Sequence, residues 1–580
     1  MTINIQRRIP VAHQLPSDLH PVLARIYAAR SVTAPEHLEH ALDRLLPYHG
    51  LMGITQAAAL LADAVIARRR MLILGDFDAD GATSCALAVR ALRLLGVAQV
   101  DYLVPNRFEY GYGLTPEIVA VAAQRQPELL ITVDNGISSV EGVRAAKAAG
   151  MCVVVTDHHL PGEHLPDADA IVNPNQRGDT FASKNLAGVG VIFYVMLALR
   201  AELRQRGWFT HSNLAEPNLA RLLDLVTLGT VADVVPLDFN NRILVQQGLA
   251  RLRNAQCCAG IRALLQVSKR HCERVVAADL AFAVAPRLNA AGRLEDMSLG
   301  IECLLTDNED HALALAQRLD ELNHDRREIE TQMKEQALAA LTALQLHADS
   351  PELPVGLCLF DPHWHQGVIG LLAARVKEKF HRPVIAFALS TNGEIKGSAR
   401  SVSGLHIRDA LDAVAARHPG LVQKFGGHAM AAGLTLRRAD YAAFSLAFDT
   451  EVRRHLQPSD LCGVIHSDGA LHSDEITLDL AHLLRYAAPW GQLFPEPLFD
   501  GTFELVQHRV VGERHLKMVL RAPGEKRLID AIAFNTSTAQ WPDATRQVNV
   551  AYRIDVNEYQ GKQSVQLVVE HVEPTVVGPV

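Results

Sequence analysis

At 580 residues, 49% of them hydrophobic, the chain is long enough for several domains with sizeable cores. Acidic side chains number 64 against 56 basic ones, which excludes a molecule whose whole surface is a nucleic-acid-binding field, so any such contact needs a local basic groove. The apolar runs are too short and interrupted for a transmembrane helix, and MTINIQRRIP lacks a signal-peptide core. Eight scattered cysteines form no CxxC pair, so neither a zinc site nor a disulfide framework is indicated. A reduced, cytoplasmic protein with no membrane contact is expected.

Residues 1–50 read as a mixed, mostly helical lead-in, and 51–70 as an alanine-rich amphipathic helix. Strands and helices then alternate: strands at 71–74, 100–104, 129–133 and 151–156, with helices at 83–95, 116–125 and 140–149 between them. Continuous apolar strands separated by helices predict a parallel, doubly wound sheet. Further helices follow at 186–205 and 218–230. A long charged helix over 311–344 lacks a strict heptad and reads as a connector between two lobes. Alternation resumes with strands at 354–360 and 383–389 around a helix at 367–380. Beyond 460 five strands separated by turns, at 498–510, 515–521, 528–534, 547–554 and 564–571, fit a small OB-like barrel. The expected domains are a lead-in (1–50), an α/β catalytic domain (51–270), a helical connector (271–349), a smaller α/β domain (350–455) and the all-β module (460–575).

Three strands of the first sheet end in metal-ligand side chains. The strand in MLILGDFDADG stops at Asp76, Asp78 and Asp80, which face one way if the segment stays extended. LLITVDNG ends in Asp134, and MCVVVTDHH ends in Asp157, His158 and His159. Clustered carboxylates repel one another unless cations sit among them, and carboxylate-rich sites suit Mg²⁺ or Mn²⁺. Ligands of open α/β sheets lie beyond the carboxyl ends of the strands. Asp233, a polar break in LGTVADVVPL, reads on spacing alone as a helix cap. No GxGxxG follows any strand, which excludes a dinucleotide-binding site of that type.

DFDADG, VDNG, TDHH and GTVADVVPL, in that order, resemble the DHH phosphoesterase family. PRLNAAGRL (286–294), HQGVIG (365–370) and GSARS (397–401) match its exonuclease branch, and FGGHAMAAG (425–433) is similar to the associated DHHA1 domain. The resemblance covers nearly the whole chain. It implies a two-metal centre for Mn²⁺ or Mg²⁺. Asp76, Asp78 and Asp134 would hold one ion and Asp80, Asp134, His158 and Asp233 the other, which replaces the cap reading of Asp233. His159 would face the scissile phosphate, with Asp157 orienting the histidines. The imidazole ligand favours Mn²⁺ more than an all-oxygen site would.

The implied activity is 5′→3′ exonucleolytic hydrolysis of single-stranded DNA to 5′-mononucleotides, in recombination and repair. The implied setting is a monomer working beside a single-strand-binding protein and a helicase. Ser398 and Arg400 are the candidate anchor for a 5′ phosphate, and Arg107 is a second basic candidate. Arg287 and Asn289 are expected to reach the DNA backbone. Gln366 and Gly367 are expected to open a helix whose N–H groups favour an anion. Gly426, Gly427 and His428 are expected to form a turn that lets a strand approach closely. Phe108, Tyr110 and Tyr112 are candidate stacking aromatics, and Arg514, His515, Lys517 and Lys526 candidate phosphate contacts on the barrel. The rivals are a phosphodiesterase of short oligonucleotides or cyclic dinucleotides, and a non-catalytic DNA-binding scaffold that would have lost metal ligands.

Overall fold

The computed structural model describes residues 3–106, 110, 113–343, 353–390, 393–512, 515–536 and 545–575. The chain divides into two compact units, Arg7–Asn323 with Ser467–Val580, and Met1–Gln6 with His324–His466.

The first unit contains a parallel sheet of five strands: β1 (Met71–Leu74), β2 (Val100–Leu103), β3 (Leu129–Val133), β4 (Cys152–Thr156) and β5 (Ala170–Val172). Their spatial order is β2-β1-β3-β4-β5. β1 and β3 are buried on both faces, which is why they read as unbroken apolar runs. Alternate residues serve two cores. Leu72, Leu74, Leu130, Val153 and Val155 pack with the helices Pro116–Ala123 and Val140–Ala148. Ile73, Ile131 and Val154 pack with Ala79–Leu94, Gly188–Gln205 and Leu223–Ala232 on the other side. The chain leaves β1 for β2 on one side and returns for β3 on the other. The gap between β1 and β3 is therefore the topological switch point.

The structure differs from the sequence reading in three places here. The lead-in holds a strand, Ile3–Arg7, and one α-helix, Pro21–Ala28. The short strand β5 had no apolar run long enough to signal it. Residues 271–323 pack into the main core through Val275, Leu280, Leu288, Ile301 and Leu322, so the first half of the helix Glu309–Ala343 belongs to the first unit and is not a free connector.

The second unit holds β6 (Leu357–Phe360), β7 (Val384–Leu389), β8 (Glu394–Arg400), β9 (Lys424–Gly427) and β10 (Ala431–Arg437), in the order β9-β10-β8-β7-β6. Only β6 and β7 run parallel. Helices Ile407–Arg417 and Tyr441–His455 cover one face, over Ile385, Phe387, Ile395, Leu434 and Leu436. Helix Ile369–Phe380 packs on the other, over Leu357, Leu359, Val384, Ala386 and Ala388.

The strands β11 (Phe499–Val511), β12 (His515–Arg521), β13 (Leu528–Ala533), β14 (Gln547–Tyr559) and β15 (Lys562–Pro574) close a barrel in the order β11-β12-β13-β15-β14. This is the OB-like module. Its interior residues Phe503, Met518 and Tyr552 continue through Trp490 and Phe494 into the core of the first unit. No single helix among the described residues is long and apolar enough to cross a membrane.

Candidate metal centre

β1 ends at Leu74, and the chain turns at once into the helix Ala79–Leu94. The helix starts four residues earlier than its apolar pattern suggests, because Asp78 caps it: its Oδ1 accepts from the Gly81 N–H at 3.0 Å. Asp80 therefore lies in the first helical turn and not on an extended strand. Asp76 turns its Oδ1 back onto its neighbour, the Phe77 N–H, at 2.8 Å. The positive end of the helix dipole offsets part of the charge of Asp78 and Asp80.

Asp80 is fully buried and is held from a second direction. The Gly188 N–H donates to its Oδ2 at 2.7 Å and the Val189 N–H to its Oδ1 at 3.0 Å, both from the first turn of Gly188–Gln205. That helix end can come so close because residue 188 has no side chain. A Cβ there would lie 2.5 Å from the Asp134 Cβ. Asp134 itself sits at φ +63, in the left-handed region, directly after β3. Asn135 holds that turn, donating from Nδ2 to the carbonyls of Leu74 and Val133 and so tying the ends of β1 and β3 together. Asp233 is the C-cap residue of Leu223–Ala232, so the cap position and the site position coincide.

These side chains converge. His158 Nε2 lies 3.1 Å from Asp134 Oδ1, 3.5 Å from Asp233 Oδ2 and 4.0 Å from Asp80 Oδ2. Three sets have ligand atoms all within 4.8 Å of one another: Asp76–Asp78–Asp134, Asp80–His158–Asp233 and Asp134–His158–His159. Ligand atoms about 2.1 Å from one octahedral ion are about 3 Å apart, which this spacing approaches. Five carboxylates and an imidazole form a donor set suited to Mn²⁺ or Mg²⁺. Asp134 and His158 each belong to two of the sets.

The electrostatics point the same way. Burial, then the charge of Asp78, pushes the Asp80 carboxyl up to about 7, against the pull of the Gly188 and Val189 N–H groups. Burial and the surrounding acids hold Asp134 and Asp233 well above the usual carboxylate range. Asp157 orients the His159 ring directly, 2.7 Å from Nδ1 to its Oδ1, and the same oxygen accepts from the His158 backbone N–H. Its other oxygen accepts from the Ile137 N–H. Burial pulls the His159 imidazole down, but the hydrogen bond and charge of Asp157 outweigh it and raise the ring to about 9.

A pH dependence follows for the metal-free protein. A carboxyl raised from its ordinary value to about 7 binds more protons folded than unfolded between those values, so stability falls as pH rises through that interval. The raised His159 acts in the same direction, its contribution being lost as pH rises through about 9. The melting temperature in EDTA is expected to fall from pH 5 to pH 8. The rise produced by added Mn²⁺ is expected to grow over the same range. A thermal-shift series at matched ionic strength checks both.

PRLNAAGRL packs behind the loop that carries Asp76, Asp78 and Asp80. Asn289 Oδ1 accepts from the Ala79 N–H at 2.8 Å, between Asp78 and Asp80 in the chain. Gly292 lies against the same loop, where a Cβ would stand 1.9 Å from the Phe77 carbonyl oxygen. Arg287 is buried, and its guanidinium is held by Asp320 at 2.7 Å and by the Ala283 carbonyl. The segment thus backs the metal loop. Sequence reasoning missed Asn135, Gly188 and Gly292 as parts of the site, since their roles depend on segments distant in the chain.

In the second unit, Arg400 lies beside Ser398, Nη1 to Oγ 3.2 Å, and its Nη1 also donates to the Ala399 carbonyl. Burial lowers its pKa, with no carboxylate contributing. A Cβ on Gly370 would come within 2.9 Å of Arg400 Nη2 and 3.0 Å of Ser398 Oγ, so the first turn of Ile369–Phe380 abuts both groups. That helix opens at Ile369, not at Gln366. Gln366 Nε2 donates to the Leu389 carbonyl, and the Gly367 N–H donates to His365 Nδ1. Gly426 and Gly427 belong to β9, and the hairpin closes after them, the His428 N–H donating to the Ala431 carbonyl. Arg107, Phe108, Tyr112 and Arg514 lie outside the described residues. Tyr110 packs against the smaller core of the first sheet, and His515 against Phe534.

Comparison with known proteins agrees with this architecture. Residues 70–230 match the DHH family N-terminal domain, 354–453 the DHHA1 domain and 467–571 the RecJ OB domain. The chain is 57% identical to the single-stranded-DNA-specific exonuclease RecJ of Dickeya dadantii, over 98% of this chain and 99% of that one. It is 53% identical to the protein of that name from Escherichia coli, over 98% of each. The fold matches the crystal structure of RecJ in complex with Mn²⁺ from Thermus thermophilus with a TM-score of 0.80 at 30% identity, covering 99% of this chain and 80% of that one. With all three domains in order and this identity along nearly its full length, the chain belongs to the RecJ family.

Proposed function

We infer that this protein is a metal-dependent exonuclease specific for single-stranded DNA. The observation that carries the inference is the gathering of Asp76, Asp78, Asp80, Asp134, His158 and Asp233 at the switch point of the sheet, in a chain of this family. A scaffold without catalysis has no use for such mutually repelling buried acids.

Asp76, Asp78 and Asp134 would hold one ion, and Asp80, Asp134, His158 and Asp233 the other. When bound, divalent ions here lower the pKa of water and offset the negative charge that builds on a phosphoryl group in hydrolysis. The chain's own residues do the rest. Gly188, Val189, Gly81 and Asn289 lock the acids in place through backbone and amide hydrogen bonds. His159, fixed at Nδ1 by Asp157, presents the opposite edge of its ring to the reacting phosphate and either stabilises its oxygens or protonates the departing 3′-oxygen.

Attack from a 5′ end requires a grip on the terminal phosphate. Arg400 and Ser398 beside the helix start at Ile369 fit that role, because among the described residues no carboxylate pairs with this largely buried guanidinium. 5′-labelled single-stranded DNA is expected to release a labelled mononucleotide at once with Mn²⁺ or Mg²⁺, while 3′-labelled strands shorten stepwise. EDTA and a blunt duplex are expected to give no product. Arg400→Ala is expected to lose the preference for a 5′-phosphorylated over a 5′-hydroxyl end, by about tenfold or more in kcat/KM. Digestion from the 3′ label first would overturn the polarity.

Cytoplasmic action in DNA repair and recombination, as a monomer with a helicase and single-strand-binding protein, is the cellular setting we propose. Its support is family membership. Co-sedimentation of this protein with purified single-strand-binding protein checks the partner.

A further inference from the structure

The main chain of His158 and His159 is gripped from two sides. Asp157 Oδ1 accepts from the His158 N–H at 2.7 Å and from the His159 N–H at 3.1 Å. The carbonyls are held by two asparagines that follow β5. Asn173 Nδ2 donates to the His159 carbonyl at 2.9 Å, and Asn175 Nδ2 donates to the His158 carbonyl at 2.6 Å. Every backbone polar group of the histidine pair thus has a partner, although the pair lies in no helix or strand. The register explains the encounter. β4 and β5 run parallel with Thr156 opposite Val172, so Asn173 leaves the edge strand level with Asp157.

An amide suits this place. Asn173 is fully buried, and its Oδ1 accepts from the Asn175 N–H at 2.7 Å. That bond leaves Nδ2 as the group facing the His159 carbonyl. An aspartate of the same shape would set oxygen against oxygen there. The turn is also fixed from behind. The Pro174 carbonyl accepts from Lys184 Nζ at 2.6 Å, and Gln176 Nε2 donates to the carbonyls of Met52 and Ile171. Asn175 Nδ2 reaches the Lys184 carbonyl as well, at 3.3 Å, in the stretch that leads to Gly188 and its bond to Asp80.

We propose that Asn173 and Asn175 are positioning residues for the reaction, Asn175 setting the His158 ring among the metal-binding acids and Asn173 setting the His159 ring toward the reacting phosphate. The proposal rests on the exonuclease reading. The division follows from which carbonyl each amide holds. His158 Nε2 lies among Asp134, Asp233 and Asp80, so a His158 main chain free to turn carries a donor out of the ligand set and weakens metal binding. His159 keeps its bond to Asp157 when Asn173 is removed, but its carbonyl no longer fixes the peptide from which the ring projects. The ring then loses its place at the phosphate, which slows the chemical step.

The test compares Asn173→Ala, Asn175→Ala and Gln176→Ala in the full chain. Gln176→Ala is the control, because its amide braces the same turn and, among the described residues, bonds to neither histidine. Two quantities are read: the Mn²⁺ concentration that gives half of the full thermal shift, and kcat on 5′-labelled single-stranded DNA at saturating Mn²⁺. Asn175→Ala is expected to raise the Mn²⁺ midpoint about tenfold or more, with kcat recovered at saturation. Asn173→Ala is expected to lower kcat about tenfold or more, with the Mn²⁺ midpoint and KM within about twofold of wild type. Gln176→Ala is expected to lower the melting temperature and leave both quantities unchanged. Asparagine variants that lower only the melting temperature, as the control does, overturn the proposal, and so does a Mn²⁺ midpoint raised equally in both. Where the buried Asn173→Ala does not fold, the half-buried Asn175→Ala decides, and an unshifted midpoint in it overturns the proposal. Wild type that binds Mn²⁺ but digests no single strand overturns the exonuclease reading and with it the role of Asn173, while the Asn175→Ala midpoint still decides the role of Asn175.

Discussion

Asp134→Asn is expected to abolish hydrolysis and to raise the melting temperature of the metal-free protein. Both effects come from one cause. Asp134 is buried among Asp76, Asp78, Asp80 and Asp233, and their charges combine with burial to oppose its ionisation. Asparagine keeps the size and tolerates the left-handed backbone at this position, but removes a negative charge from the cluster. Without metal, relief of that repulsion stabilises the fold by on the order of 1 kcal/mol. With metal, the lost carboxylate belongs to both proposed ligand sets, and kcat is expected to fall on the order of 10³-fold, the size of losing a major electrostatic stabiliser. Mn²⁺ is expected to give a smaller thermal shift than in wild type, and single-strand binding to persist. A variant that is both inactive and less stable without metal would assign Asp134 a structural role. His158→Ala and Asp80→Ala are expected to lose activity similarly, but Asp80→Ala also strands two N–H groups at the Gly188 helix end.

Gly188→Ala is the second large effect, and no charge changes. The new methyl would stand 2.5 Å from the Asp134 Cβ and 2.6 Å from its Oδ1, closer than real Cβ contacts allow. Either Asp134 or the helix start must move. Displacing the helix breaks the Gly188 and Val189 hydrogen bonds to Asp80, so both proposed ligand sets are disturbed by one substitution. Overpacking is expected to cost about 1–3 kcal/mol of stability. Activity at saturating DNA is expected to drop about 10–100-fold, with the Mn²⁺ concentration for half activity shifted upward. Activity and metal dependence unchanged from wild type would mean that the helix end does not position Asp80.

Much of this was legible in the chain because its signals are local. Strand ends at Leu74, Val133 and Thr156 are marked by apolar runs that stop at acids or histidines, and a parallel sheet aligns such ends automatically. Where local rules competed, the reading slipped. The alternation of Asp76, Asp78 and Asp80 looked extended, yet a cap at Asp78 pulls Asp80 into a helix. Asp233 read as a cap on spacing, and it is one, but its carboxylate also reaches to within 3.5 Å of His158. Arg287 and Asn289 read as DNA contacts because arginine and asparagine bind phosphates, and the structure shows that both also have bracing partners within the fold. Their partners, Asp320 and Ala79, are 33 and 210 residues away and leave no trace in the motif.

The sequence by itself determined the order of domains, the parallel character of the first sheet, the acids and histidines of the site and the family. These follow from hydrophobic periodicity and from short motifs whose chemistry has few alternatives. The tertiary structure alone decided that Gly188, Asn135 and PRLNAAGRL brace the acids. It also decided that residues 271–323 and the barrel share the core of the first unit. Each of these depends on which segments pack together. Packing is settled by burial and close approach between residues far apart in the chain, and no local pattern encodes them.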